Sequence, residues 1–173
     1  DDTGKQARQA AEEFRSAGVK KVILDLRGNP GGTVAAAQAL AGLWLNHEVV
    51  MTQRRGEQVI STEKSTGQPL LSDIKTVVLV NGGSASASEI VAGALKDHGK
   101  ATLVGEKTYG KGSVQRPINL ADGSILKVTE ARWYTPHGKN IDKSGIEPDI
   151  KVEMTAEAAD SGRDPQLEKA KNV

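Results

Sequence analysis

The 173-residue sequence contains no cysteine, which excludes disulfide bonds, thiolate nucleophiles and cysteine-ligated zinc sites. Aromatic residues make up only 3%, so nucleic-acid bases would find little surface for stacking. Basic and acidic side chains number 23 and 22, so no excess of positive charge favours a nucleic-acid partner. No apolar run approaches the length of about 18 residues that spans a bilayer. The three histidines show no metal-ligand spacing. We therefore expect no metal site and no nucleic-acid partner.

With 37% apolar and 26% charged residues, the chain has the composition of one globular domain, and we assign residues 1–173 to it. The apolar runs Val22–Leu24 and Thr76–Val80 predict buried strands, each followed by a glycine-rich turn and a helix. The segments Glu48–Lys64 and Ser113–Tyr134 predict β-hairpins. These patterns predict an α/β fold with a mixed sheet, helices and β-hairpin additions. The other predicted elements are a helix from Asp2 or Thr3 to Gly18, helices Val34–Leu45, Ser86–His98 and Asp164–Lys171, and a strand Ala101–Gly105.

Ser86 lies where a predicted strand turns into a predicted helix. The backbone N–H groups of a first helical turn are unpaired, so a nucleophile there has potential oxyanion donors nearby. The competing interpretation is an ordinary capping box, because Ser86 and Glu89 form the pattern S-x-x-E. Ser84 and Ser88 also compete, since the repeat SASAS does not tell which hydroxyl is exposed.

Lys111 is flanked by two glycines, which would let the backbone pack tightly around it. Most lysines are simply solvated, and a lysine acts as a base only when it is neutral. Serine–lysine pairs are an established alternative to Ser–His–Asp triads. The stretch Gly105–Gly112 also imitates a phosphate-binding G-x-x-x-x-G-K loop, but Gly112 replaces the required Ser or Thr and no helix follows. The pattern therefore favours a base over a nucleotide site.

A histidine-based triad is a weaker alternative. Asp97 and His98 lie eleven and twelve residues after Ser86 on one predicted helix, which places them roughly 16–18 Å along its axis. Neither reaches the Ser86 hydroxyl from there, and we interpret Asp97 as structural. His137 lies in a predicted loop and remains a candidate partner of Ser86 in such a triad.

Four segments in this order resemble the carboxyl-terminal processing peptidases, also called tail-specific proteases. They are DLRGNPGG at Asp25–Gly32, SASASE at Ser84–Glu89, GKGSVQ at Gly110–Gln115, and the Tyr134–Asp149 stretch with its YTPHG and GIEPD motifs. Together they fall within Val22–Val152. Each motif alone is weak, but four in this order are specific.

The resemblance implies a role for each matching residue: nucleophile Ser86, general base Lys111, orienting residue Gln115, and oxyanion donors Ala87 and Gly32. Spacing alone does not separate Gly32 from its neighbour Gly31. The resemblance also implies a Clp-protease/crotonase-like core and cofactor-free acyl transfer through an acyl-enzyme. The expected activity is that of a serine-type endopeptidase that cleaves proteins or peptides near free, apolar C-termini.

Members of this family carry a PDZ domain that binds the substrate tail, and no such segment is visible in these residues. We therefore expect the chain to be a fragment whose full-length form contains that domain. The resemblance further implies an extracytoplasmic location (periplasm, cell envelope or secreted). The sequence leaves open whether the protein forms a homo-oligomer. The alternative function is a catalytically silent peptide-binding or scaffold module on the same fold. A crotonase-type acyl-CoA enzyme would leave Ser86, Lys111 and Gln115 unexplained.

Overall fold

The computed structural model describes residues 2–173, and this part of the chain forms an α/β fold, as predicted. Its helices and strands, in chain order, are α1 (Thr3–Ser16), β1 (Lys21–Asp25), α2 (Val34–Ala41), β2 (Val49–Arg55), β3 (Gln58–Lys64), β4 (Lys75–Val80), α3 (Ala87–Asp97), β5 (Thr102–Gly105), β6 (Ser113–Asn119), β7 (Ile125–Tyr134), β8 (Ile150–Lys151), α4 (Ala156–Asp160) and α5 (Pro165–Asn172).

The first sheet is parallel and has the order β1-β4-β5-β8. Its strand β4 is covered on both faces, which explains why the sequence reads as an unbroken apolar run. Val78 and Val80 pack in the main core with α1, α2 and α3, whereas Val77 and Leu79 pack in a smaller core that contains Ala170 of α5. The sheet is therefore the middle layer between helices.

The two predicted hairpins, β2–β3 and β6–β7, are both present. They do not extend the parallel sheet. Strands β2 and β7 pair antiparallel, with Gln53 opposite Trp133, and this joins the hairpins into a second sheet of order β3-β2-β7-β6. The expected mixed sheet is thus in fact two sheets, one parallel and one antiparallel. The β2–β7 pairing could not be predicted because it links segments about 80 residues apart, and neither segment's own sequence indicates its partner.

Helix α2 ends at Ala41, four residues before the predicted end at Leu45. Gly42 follows the helix and allows a close approach of another segment, since an added Cβ would lie only 1.8 Å from the Thr66 carbonyl oxygen. The chain turns there, and Trp44 and Leu45 enter the core from the turn rather than from a helix. The short elements β8 and α4 were not predicted.

Parallel strands place their carboxyl ends at one edge of a sheet, where α/β proteins bind ligands. The segments that follow β1, β4 and β5 carry the Asp25–Gly32, Ser84–Glu89 and Gly110–Gln115 motifs. The topology therefore brings three of the four motifs to one place. None of the helices in residues 2–173 is long and apolar enough to cross a membrane. The same residues contain no His, Asp and Glu group able to hold a metal ion.

Candidate active site

Ser86 is the residue immediately before helix α3 and has a strained backbone, with φ 57° and ψ −118°. A positive φ at a residue other than glycine is uncommon and clusters at functional sites, where the surrounding structure must maintain it. The support comes from the preceding turn, in which Ser84 Oγ accepts the Asn81 N–H at 3.0 Å and donates to the Leu26 carbonyl at 2.7 Å. The turn that presents Ser86 is thus fastened to the end of β1.

The structure separates the three serines of the SASAS repeat. Ser84 is fully buried and its hydroxyl is occupied by the two bonds just described. Ser88 is also buried, at 4% exposure. Ser86 is only half-buried, so its hydroxyl is the accessible one.

The capping-box interpretation is confirmed, because both contacts of the box are present between Ser86 and Glu89. Glu89 reaches back and accepts the Ser86 N–H through Oε2 at 2.9 Å. The Ser86 side chain in turn meets the Glu89 backbone N–H, which is the second contact of the box. An N-cap residue normally has extended φ and ψ, so the positive φ of Ser86 is unusual for its position. A hydroxyl that accepts an N–H keeps its own proton, so the capping role does not exclude a nucleophilic one.

Glu89 is a structural centre of the site, a role that the sequence analysis missed. Its carboxylate is fully buried and accepts four hydrogen bonds. Oε1 accepts from Thr108 Oγ1 at 2.5 Å and from the Gly110 N–H at 2.7 Å. Oε2 accepts from the Lys111 N–H and the Ser86 N–H, each at 2.9 Å. Four donors compensate for the burial of a carboxylate, and they join the serine turn directly to the lysine turn. The only sequence signal was the fourth position of S-x-x-E.

The Lys111 backbone is held tightly, as its flanking glycines predicted. A Cβ added at Gly110 would lie 2.8 Å from the Gly145 nitrogen, and one added at Gly112 would lie 2.5 Å from the Asp142 nitrogen. The indole Nε1–H of Trp133 donates to the Lys111 carbonyl at 2.8 Å. These contacts fix the position of the Lys111 backbone next to the serine turn.

The Lys111 side chain, in contrast, is exposed. Within residues 2–173 its Nζ forms no hydrogen bond or ion pair, so the structure brings the Ser86 and Lys111 backbones together without joining their side chains. Gln115 is exposed on β6, next to a register shift between Val114 and Gln115. The part of the chain described shows no hydrogen bond between the Gln115 side chain and Lys111.

The Asn29–Gly32 turn lies against the serine turn. Gly31 has φ +94°, and an added Cβ would lie 2.7 Å from the Ala87 nitrogen and 2.9 Å from Ser86 Cβ. The Gly31 N–H donates to Asn29 Oδ1 at 2.9 Å, so it is already occupied. The N–H groups of Gly32 and Ala87 have no partner among the residues described, and both residues line the same cavity. Of the two glycines, Gly32 has the available donor.

That cavity has a volume of about 210 Å³ and extends from Gly32 and Ala87 towards α1, α2 and α3. Most of its lining residues are glycine or aliphatic, although polar atoms contribute about as much of its surface as apolar atoms. The lining residues are Thr3, Leu26, Asn29, Gly31, Gly32, Ala36, Ala37, Leu40, Ala87, Ser88 and Val91.

The histidines of the alternative triad are engaged elsewhere. His98 Nε2 lies 2.8 Å from the Val49 carbonyl. Asp97 Oδ2 accepts the His137 N–H at 2.8 Å, and its other oxygen lies 3.7 Å from His137 Nδ1. Asp97 ends α3, opposite Ser86, and anchors the turn that contains His137. This position matches its structural interpretation and leaves neither histidine near the serine.

Arg27, in the segment between β1 and the Asn29–Gly32 turn, is the strongest electrostatic centre next to the site. Hydrogen bonds that it donates to the Asp25 and Asp164 carboxylates raise the pKa of its guanidinium. Burial alone would raise the pKa of Asp25, but hydrogen bonds from the Arg27 side chain and backbone outweigh it and lower that pKa. The Asp164 pKa is lowered mainly by its hydrogen bonds from Arg27. All three groups are therefore charged at neutral pH.

Comparisons with known proteins identify the family of this chain. The model of the family described as Peptidase family S41 matches residues 1–152. The chain is 46% identical over 155 residues to a carboxyl-terminal-processing protease of Synechocystis sp., covering 87% of this chain and 35% of that protein. It is 44% identical over 141 residues to one of Picosynechococcus sp., covering 82% and 34%. It thus spans about a third of the length of the curated relatives it matches.

A solved structure, the photosystem II D1 C-terminal processing protease, superposes with a TM-score of 0.83 and 37% sequence identity. The match covers 88% of this chain and 40% of that one. The family match extends over most of the chain, and the superposition reproduces its α/β architecture. The chain therefore has the Clp-protease-like fold and belongs to peptidase family S41.

Proposed function

We propose that this chain is the catalytic core of a serine endopeptidase that cleaves proteins near their C-termini, with Ser86 as nucleophile and Lys111 as general base. The observation that carries the proposal is the accessible Ser86 on its strained turn, beside the available Ala87 and Gly32 amides. The names of the relatives support the reaction and the C-terminal preference.

The reaction follows from the positions of these groups. Ser86 Oγ attacks the scissile carbonyl carbon and gives its proton to neutral Lys111, while the new oxyanion accepts hydrogen bonds from Ala87 and Gly32. Lys111 then protonates the leaving amine, and an acyl-enzyme remains. A water molecule deprotonated by Lys111 hydrolyses that ester. The cavity receives a substrate side chain next to the scissile bond.

The exposed side chain of Lys111 must turn inward for this chemistry. Its backbone is already held by Glu89 and Trp133, so only side-chain torsions need to change, with Gln115 orienting the amine once it is engaged.

The experiment is cleavage of a model protein with an apolar C-terminal tail by the wild type, Ser86→Ala and the control Ser72→Ala, at an exposed position before β4. We expect cutting by the wild type and the control and a loss of at least about a thousandfold in Ser86→Ala. A serine-directed acylating reagent should label the chain, and the label should disappear in Ser86→Ala. Cutting or labelling that persists in Ser86→Ala would refute the assignment of the nucleophile.

The second candidate is a silent peptide-binding module, favoured by the exposed, unengaged Lys111 side chain. It predicts that the wild type and Ser86→Ala bind the tailed protein equally and that neither cuts it. Cleavage by the wild type excludes this candidate.

For the complete protein we propose a PDZ domain that delivers the substrate tail and a location outside the cytoplasm. Both rest on the family resemblance, and the relatives are about three times as long as this chain. Fractionation of cells that express the complete protein tests the location. Enrichment with the cytoplasmic fraction would contradict it.

A further inference from the structure

The C-terminal helix α5 lies outside the segment that matches the family model, which ends at residue 152. The start of this helix nevertheless contacts Arg27, in the segment between β1 and the turn that contains the candidate oxyanion donor. Asp164 accepts two parallel hydrogen bonds from Arg27, Nη1 to Oδ1 and Nη2 to Oδ2, each at 2.9 Å. This paired geometry is the most directional contact that a guanidinium makes with a carboxylate.

All the donor nitrogens of the Arg27 side chain are engaged. On the other side, Nε donates to Asp25 Oδ1 at 2.9 Å and Nη2 donates to Asp25 Oδ2 at 2.7 Å. Nη1 also donates to Gln166 Oε1 at 3.0 Å. The guanidinium plane is therefore fixed by β1 on one side and by α5 on the other.

Helix α5 is itself well anchored at this end. The Asp164 Oδ1 accepts the Leu167 N–H at 2.9 Å and so caps the helix. Gln166 is 1% exposed, and its Nε2 donates to the Val152 carbonyl at 2.8 Å. The helix thus presents the Asp164 carboxylate from a fixed position.

Arg27 is also flanked by the contacts that join its segment to the serine turn. The Leu26 carbonyl accepts Ser84 Oγ, and the Gly28 N–H donates to Asn81 Oδ1 at 2.9 Å. Two residues after Arg27, the Asn29 carbonyl accepts the Ala85 N–H at 3.0 Å. A shift of Arg27 would pull on all three of these bonds and on the glycines that follow them.

We propose that Asp164 is a positioning residue, which holds Arg27 so that the Gly28–Gly32 segment keeps its place against Ser86 and Ala87. The catalytic consequence rests on the proposed function, since it assumes that Gly32 donates to an oxyanion. Through this contact, the C-terminal helix determines how well the oxyanion site is formed.

The variant Asp164→Asn separates this role from a merely structural one. Asparagine caps a helix as well as aspartate does, so α5 keeps its N-cap, while the charge and the second oxygen that hold Arg27 are lost. Glu168→Gln is the matched control, because it makes the same chemical change at an exposed position of the same helix.

Amide hydrogen exchange on the 173-residue chain tests the contact without requiring activity. In Asp164→Asn we expect at least about tenfold faster exchange at Gly28 and Gly31, with unchanged exchange at the buried β4 residues Val78 and Leu79. Glu168→Gln should exchange like the wild type at all four positions. Unchanged exchange at Gly28 and Gly31, or equal acceleration at all four, would overturn the proposal.

Cleavage of the tailed protein supplies the second readout. If Gly32 is an oxyanion donor, Asp164→Asn lowers kcat about tenfold and leaves KM unchanged, since the lost contact acts only in the transition state. A kcat equal to that of the wild type would refute the catalytic consequence. Failure of the wild type to cleave would instead count against the proposed peptidase function, and the exchange result would still decide the role of Asp164.

Discussion

The serine side and the lysine side of the candidate site are built differently. Ser86 follows the central strand of the parallel sheet and precedes α3, whose residues 87–95 are all buried. Lys111 lies between the two sheets in a turn, held by backbone contacts to Glu89 and Trp133, with an exposed side chain. The core can therefore maintain strain at Ser86, the proposed nucleophile, whereas the side chain of Lys111, the proposed base, keeps its conformational freedom.

Among the residues described, the Glu89 side chain hydrogen-bonds to both the serine turn and the lysine turn. Glu89→Gln should therefore give the largest loss of stability. An amide offers one oxygen to four donors, and its NH₂ group would face N–H groups, so buried donors lose their acceptor. We expect the free energy of unfolding to fall by about 3–5 kcal/mol in urea denaturation.

Glu57→Gln, at an exposed position of the β2–β3 turn, is the control and should change the stability little. A Glu89→Gln variant as stable as this control would mean that the two sides are not held together by the carboxylate.

The second prediction concerns the serine side alone. Gly31→Ala would place a Cβ 2.5 Å from the Ala85 carbonyl oxygen at a φ of +94°, so we expect a loss of about 2–3 kcal/mol. Gly32→Ala adds a Cβ with no atom within 4 Å and should stay within about 0.5 kcal/mol of the wild type. Chemical denaturation of both variants measures the contrast, and equal stabilities would show that the turn adjusts freely.

A third, smaller effect is acid destabilisation through Arg27. The pKa values of Asp25 and Asp164 are lowered in the folded state, so folding favours their charged forms. The stabilisation is complete above the unfolded value of about 3.9 and is lost as pH falls through the folded values. Both carboxylates are partly exposed, so screening keeps the effect modest.

The stability of the wild type should thus fall as the pH drops from 5 towards 3, and that of Asp164→Asn should fall less, because one of the two titrating carboxylates is gone. Urea denaturation across this pH range measures both slopes. Identical slopes would show that Asp164 does not contribute.

Lys111→Ala should have the smallest effect on stability and a large one on turnover. The side chain is exposed and unpaired in residues 2–173, so its removal should change the free energy of unfolding by less than about 0.5 kcal/mol. If Lys111 is the base, cleavage falls at least about a thousandfold. A variant that unfolds would make Lys111 structural, and one that cleaves normally would exclude it as the base.

Several features of the fold and of the candidate site could be predicted from short stretches of sequence. The β-branched run of β4 predicts a strand buried on both faces, and the glycines around Lys111 predict a tightly packed backbone. The join of the two hairpins through β2 and β7 could not be predicted, because strand pairing over such a distance depends on the whole fold. The role of Glu89 was hidden for a similar reason: the pattern S-x-x-E shows its bond to Ser86 but not those to Thr108, Gly110 and Lys111.

The sequence by itself determined the α/β class, the family resemblance and the set of candidate site residues, because strand and helix periodicity and short motifs are local properties. Only the tertiary structure decided which serine is accessible, that Gly32 rather than Gly31 has a free amide, and that α5 holds Arg27. Each of these depends on which groups become buried or find a partner, and burial and pairing are decided by contacts between segments far apart in the chain.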